Sequence, residues 1–272
     1  MRWKTLGLAA SLLLGVAAQA DDTESVKIAD SFGLPVGIEN GKRYYKARGF
    51  RPHGHMGEDW NGIGGGNTDL GDPVHAVGNG LVVYAQDFRA GWGNVVIIRH
   101  AYIERGDTRF IDSLYGHLDR IAVRDGQRVE RGTRVGTIGT AHGRYPAHLH
   151  FEIRKNIRVG MYRSRFARDY STYHDPTQFV ITHQNLSGDN RTAQVPINTF
   201  PNESNHGYAS RDAGASIASA PPLPADRTGS GVRWSVQNAG ALVSAKDGKS
   251  SKSGSSGKKG FYIDRYGDMR RR

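Results

Sequence analysis

The sequence contains no cysteine. Within these residues that excludes disulfides, a cysteine nucleophile, a thiolate metal site and a lipid-modified cysteine. A folded core or a metal must then stabilise an exported form, and the metal must be held by His, Asp or Glu. Long hydrophobic runs are also missing. The run from Thr5 to Ala17 is shorter than the roughly 20 residues that cross a bilayer. It follows a positive start at Arg2 and Lys4 and leads to Ala18-Gln19-Ala20, a small-x-small pattern. These features predict a signal peptide over residues 1–20 and no transmembrane segment after its cleavage. The protein is then exported, to the periplasm or the extracellular cell wall. A buried N-terminal helix is the competing reading. No internal repeat of useful period is present.

Acidic residues are too few to balance the basic ones, and the formal net charge is +11. The excess is uneven. Lys246 to Arg272 holds nine basic and three acidic residues. Without that segment and residues 1–20 only about +3 remains, too little for a nucleic-acid surface, so no nucleic-acid partner is expected. Beyond about Asn185 the composition shifts to Gly, Ser, Ala, Pro and Asn, with Pro221-Pro222-Leu223-Pro224 and Ser250 to Gly257 as low-complexity stretches. Residues 21–185 are therefore expected to form the folded domain. Residues 186–272 are expected to be a basic, largely disordered tail, suited to electrostatic contact with anionic envelope polymers. Arg158, Arg163, Arg165 and Arg168 form a second basic cluster, either a solvated face or a patch for an anionic substrate.

From Phe50 to Ile153 the chain reads as short strands separated by Gly turns, with no long amphipathic helix between them. That pattern predicts a mainly β, antiparallel domain. Val95-Val96-Ile97-Ile98 reads as a strand buried on both faces. Asp175-Pro176 followed by Phe179-Val180-Ile181 reads as a closing turn and strand.

The chemistry centres on Ala147-His148-Leu149-His150-Phe151-Glu152-Ile153. On a strand, His148 and His150 share one face while Leu149, Phe151 and Ile153 share the other. Two imidazoles then stand side by side above a hydrophobic base. His55 and Asp59 lie upstream. Four residues along a straight strand span roughly 13 Å, too far to share an ion bound at about 2 Å. Pro52, Gly54 and Gly57 argue against a helix, so a bend at Gly57 must join them. His55, Asp59 and one histidine of the pair would make a two-imidazole, one-carboxylate set with an open position, as a catalytic zinc site needs. The other histidine would remain as an acid or base. His117 sits between Leu114 and Leu118, which anchor its segment; taken alone it reads as a packed core histidine. His53 is a substitute ligand candidate.

His-x-Gly-x-Asp, Tyr-x-His-Leu and His-Leu-His-Phe-Glu, in this order, resemble the lysostaphin/LytM-type zinc metallopeptidases, which are cell-wall endopeptidases. The resemblance runs from about Val36 to Phe179. It includes Gly71-Asp72-Pro73-Val74-His75-Ala76-Val77, Gly93 to His100, Gly126-Gln127-Arg128-Val129 and Gly132-Thr133-Arg134-Val135-Gly136. It implies that His55, Asp59 and His150 bind Zn2+ and that His117 and His148 are catalytic. It also implies a LytM-like antiparallel fold with a substrate groove across the site face, and peptidoglycan peptide stems as substrate. Inactive relatives that activate other wall hydrolases characteristically lack some of the ligands, whereas this chain keeps the set; such a regulator is the alternative function. Two stretches depart from the family pattern. The loop from Gly139 to His148 replaces a Ser/Thr/Gly-rich turn, and Asn61 to Leu70 reads as a glycine-rich insertion.

Overall fold

The computed structural model describes residues 22–37, 41–89, 91–161, 166–167, 169–187, 190–200, 261–263 and 269–271. The expected signal peptide and most of the expected tail lie outside these residues, as do Arg163, Arg165 and Arg168.

Every strand pairing among the described residues is antiparallel, as the Gly-punctuated pattern predicts. The strands up to residue 118 are β1 (Thr23–Lys27), β2 (Tyr44–Arg48), β3 (Glu58–Gly62), β4 (Pro73–His75), β5 (Gly80–Arg89), β6 (Gly93–Glu104) and β7 (Asp107–Leu118). After it come β8 (Arg120–Ile121), β9 (Arg128–Val129), β10 (Arg134–Thr137), β11 (Leu149–Arg154), β12 (Tyr173–His174), helix α1 (Pro176–Thr182) and β13 (Thr192–Pro196). A separate hairpin pairs β14 (Phe261–Ile263) with β15 (Met269–Arg271).

One large sheet runs in the order β2-β3-β11-β7-β6-β5-β9, with β12 added beside β11. Its two faces bury different partners. On one face Trp60, Val96, Ile98, Tyr115, Leu149, Phe151 and Ile153 pack against the small sheet β4-β10-β8, Phe32 and α1. On the other, Leu81, Val95, Ile97 and Leu114 pack under Val26, Val195, Ile197 and Phe200 of the β1–β13 ribbon and its continuation. The run Val95 to Ile98 is thus buried on both faces, as its unbroken apolar character predicts. The ribbon covers only part of its face. The rest carries the candidate site.

Two boundaries differ from the sequence reading. Phe179-Val180-Ile181 lies in a helix, not a strand. Asp175 caps it, accepting a hydrogen bond from the Gln178 amide at 3.0 Å, and Pro176 occupies the first turn, a start signal that outweighs the β-branched pair behind it. Ordered chain also continues past residue 185. β13 pairs with β1 from Thr192↔Lys27 to Pro196↔Thr23, and Val195, Ile197 and Phe200 are buried. The fully buried Arg99 holds this segment down. It makes a two-toothed pair with Asp112 at 2.7 and 2.8 Å and donates to Pro196 O at 2.6 Å and Thr199 Oγ1 at 2.9 Å. Composition averaged over a window dominated by Gly, Ser and Asn hides three apolar side chains that suffice to dock one strand.

Candidate metal centre

β11 is the floor of the site. Leu149, Phe151 and Ile153 point into the first core, so His148, His150, Glu152 and Arg154 stand on the other face. β3 pairs with β11 in the register His150↔Asp59, which sets the carboxylate directly beside the imidazole. His55 arrives by a tight turn. Arg51 and His55 exchange backbone hydrogen bonds at 2.9 and 2.8 Å, with His53 left-handed between them at φ 60°. Gly57 completes the bend expected from sequence, for a reason of space. A Cβ there would lie 2.4 Å from Phe151 O and 2.8 Å from Glu152 Cγ. The chain can return over β11 only where residue 57 has no side chain.

Three atoms converge: His55 Nε2, Asp59 Oδ1 and His150 Nδ1. Their separations are 3.2, 3.1 and 2.9 Å. Ligand atoms about 2.0–2.1 Å from a tetrahedral ion stand about 3.3–3.4 Å apart, so the triangle fits with slight expansion. Hydrogen bonds on the far side of each ring favour the same use. His55 Nδ1 donates to Gly49 O at 3.2 Å, and His150 Nε2 donates to Glu152 Oε1 at 2.9 Å. These tautomers aim two nitrogen lone pairs and a carboxylate oxygen at one point. Neutral, they repel; a cation between them removes the conflict. Two nitrogens and one oxygen, with no thiolate, form a donor set that suits zinc.

The charges agree. Burial pushes His55 below its ordinary value. Burial also disfavours a charge on His150, but the Asp59 and Glu152 carboxylates at its two nitrogens outweigh it and hold the group up at about 9. Asp59 is held well below the carboxylate range, because its bonds to His150 and His55 outweigh its own burial. A proton on His150 Nδ1 thus stands where a metal ion can stand.

His148 and His117 flank the triad. His148 Nδ1 donates to Pro146 O at 2.8 Å, and its Nε2 lies 3.9 Å from Asp59 Oδ1. His117 reaches the site through a bulge. Gly116 and His117 together oppose Val95, and His117 is left-handed at φ 63°. The extra residue reverses the alternation, so Leu114 packs in the second core and Leu118 in the first. His117 turns to the site face. Its backbone N–H and its Nδ1 both meet Trp92 O, at 2.9 and 3.1 Å. Burial, and then the neighbouring His148 and His150, keep it neutral well below its ordinary value. The His117 and His148 rings lie 4.8 Å apart, and each commits its Nδ1 to a backbone carbonyl.

All five residues singled out from sequence therefore lie in one cluster. His53 is exposed and outside it. His100 is buried in a separate network with Asn79 O and Ser113 Oγ, and His142 pairs with Asp87 at the surface. The sequence reading gave no role to Glu152 or Arg154. Arg154 Nε holds Glu152 Oε2 at 2.6 Å, so the line Asp59–His150–Glu152–Arg154 is continuous. The signal was present: positions 148, 150, 152 and 154 share one strand face. Trp92 and Tyr145, also unassigned, form aromatic walls, 5.3 Å from the His150 ring and 4.9 Å from the His117 ring.

Residues 55–160 match the model of a family described as Peptidase family M23. Lipoprotein NlpD of Yersinia enterocolitica is 38% identical over 84 residues, 31% of this chain and 78% of that protein. Murein hydrolase activator NlpD of Salmonella dublin is 34% identical over 107 residues, 37% of this chain and 26% of that protein. The chain spans about a quarter of the length of most curated relatives it matches. Among solved structures, the catalytic domain of lysostaphin from Staphylococcus simulans is 25% identical. It has a TM-score of 0.38 and covers 50% of this chain and 92% of that one.

Proposed function

From the premise that the chain belongs to peptidase family M23, we propose that it is an exported zinc metalloendopeptidase that hydrolyses peptide cross-links of peptidoglycan. One observation carries the reading. Three ligand atoms stand at the spacing of a single ion, with their lone pairs turned inward by outer hydrogen bonds and two further histidines beside them. We assign His55, Asp59 and His150 as the ligands. When bound, zinc supplies a Lewis acid that lowers the pKa of a coordinated water and polarises the scissile carbonyl.

The protein's own groups do the rest. His148 accepts the proton of the attacking water at Nε2, the nitrogen that its bond to Pro146 leaves bare. His117 faces the oxygen of the attacked carbonyl. Stabilising that oxygen needs a proton on His117 Nε2, taken up from solvent, beyond the one its bond to Trp92 fixes on Nδ1; the developing negative charge offsets the burial that otherwise keeps the ring neutral. Trp92 and Tyr145 flank the His117 ring, 6.3 and 4.9 Å from it, and supply apolar surface beside the reacting groups.

The second reading is a regulator of other wall hydrolases. The Salmonella relative, a murein hydrolase activator by name, favours it. The complete ligand set and both flanking histidines favour the enzyme. Digestion of purified cross-linked muropeptides, followed by mass spectrometry, separates them. The enzyme releases cut stems; His150→Ala loses zinc and cleavage, and His148→Ala keeps zinc but loses cleavage. A zinc-loaded chain that leaves every cross-link intact overturns the enzyme reading.

A further inference from the structure

The loop from Asn61 to Leu70 and the segment before His148 are the two places where the sequence departs from the family pattern. The structure joins them at one residue. Asn67 Oδ1 accepts a hydrogen bond from the Ala147 amide at 2.8 Å, and Asn61 Nδ2 donates to Ala147 O at 3.1 Å. The β3–β11 ladder ends at Trp60↔Leu149, so these side chains take over where backbone pairing stops.

The Ala147 N–H and the Pro146 C=O belong to one trans peptide unit, a rigid plane with the two groups at opposite ends. The Pro146 oxygen receives Nδ1–H of His148. Asn67 therefore grips one end of a plate whose other end sets the His148 tautomer and ring direction. Asn61 pins the next plate, between Ala147 and His148. The chain arriving here needs such support: Ala141, His142 and Gly143 are successive left-handed residues at φ 49°, 60° and 82°.

The loop is itself stiff. Gly65 and Gly66 supply two positive φ angles, Thr68 Oγ1 bonds Gly65 O at 2.8 Å, and Asp69 Oδ2 takes the Gly62 amide at 2.9 Å. Its far end is tied by Gly71 N to Ile138 O at 2.8 Å. We propose that this insertion is a brace, and that Asn67, assisted by Asn61, is a positioning residue for His148. The kinetic part of this inference rests on the peptidase reading above.

The test uses the zinc-loaded full chain and compares Asn67→Ala with Asn67→Asp, which retains an acceptor for the Ala147 amide. Misplacing a reacting group by about 1 Å costs on the order of a hundredfold in rate. Asn67→Ala is expected to lower kcat ten- to a hundredfold on a defined cross-linked muropeptide, with KM and zinc stoichiometry unchanged. Asn67→Asp should stay within threefold of wild type. Independently of turnover, long-range proton–nitrogen NMR of the imidazoles should show His148 as the Nδ1–H tautomer in wild type and a mixture in Asn67→Ala. An unchanged tautomer in Asn67→Ala overturns the brace. So does an Asn67→Asp protein as impaired as Asn67→Ala, or zinc loss that parallels the loss of rate. If wild type cuts nothing while Asn67→Ala shifts the tautomer, the brace stands and the peptidase reading fails.

Discussion

Replacing Glu152 by glutamine separates what holds the fold from what holds the metal. The carboxylate is fully buried and accepts from His150 Nε2 at 2.9 Å and from Arg154 Nε at 2.6 Å. Arg154 and His150 keep it ionised, below the ordinary carboxylate range, despite its burial. Glutamine keeps the volume but offers one oxygen and one NH2 group. One of the two donors must then face another donor. A charge-assisted bond contributes about 1.5–3 kcal/mol, and stripping a buried charge of its partner costs about 3–5 kcal/mol. Arg154 retains its bond to Gly160 O at 2.5 Å, so a loss of about 2–3 kcal/mol in metal-free stability is expected. Zinc affinity should fall ten- to a hundredfold, as outer partners of ligating histidines typically show, or about 1.4–2.8 kcal/mol. Urea unfolding of the metal-free chain reads the first quantity, and competition with a chelator reads the second. The double variant Glu152→Gln/Arg154→Met removes the stranded charge. It should regain stability without regaining zinc affinity. Affinity within twofold of wild type in Glu152→Gln, or its return in the double variant, refutes this account of His150.

Other consequences follow from the same geometry. In the metal-free chain His150 is raised from 6.5 to about 9, so its contribution to stability is complete below about pH 6.5 and is lost as pH rises through about 9. Zinc must displace that proton, so its affinity should rise about tenfold per pH unit across the same window. Proton release measured calorimetrically in two buffers checks this, and a flat affinity contradicts it. Gly57→Ala should cost about 3 kcal/mol or more in urea unfolding, because the new methyl meets the Phe151 carbonyl, which cannot move without shifting β11. Ending the chain after residue 185 should lower stability by about 5 kcal/mol, because Val195, Ile197 and Phe200 leave the second core and Arg99 loses two partners. Ending it after residue 200 should leave the melting temperature unchanged. Equal melting temperatures for both truncations would show that the ribbon contributes nothing.

Much of the molecule is legible without coordinates. A strand has a period of two, so His148 and His150 had to share a face above Leu149, Phe151 and Ile153. The same period carries Glu152 and Arg154 onto that face. Gly turns between short apolar runs dictate antiparallel pairing, and the absence of cysteine limits any metal to imidazole and carboxylate ligands. What periodicity cannot supply is register, and register decides the site. That Asp59 lies opposite His150 depends on how β3 slides along β11. That His117 faces the ligands depends on one extra residue in β7, which breaks the alternation that local pattern assumes. The return of residue 55 over β11 depends on contact between Gly57 and a backbone nearly a hundred positions away. Short-range preferences act within a few residues. The meeting of segments 55–59, 117 and 148–150 is a long-range property, set only when both faces of the sheet have been buried.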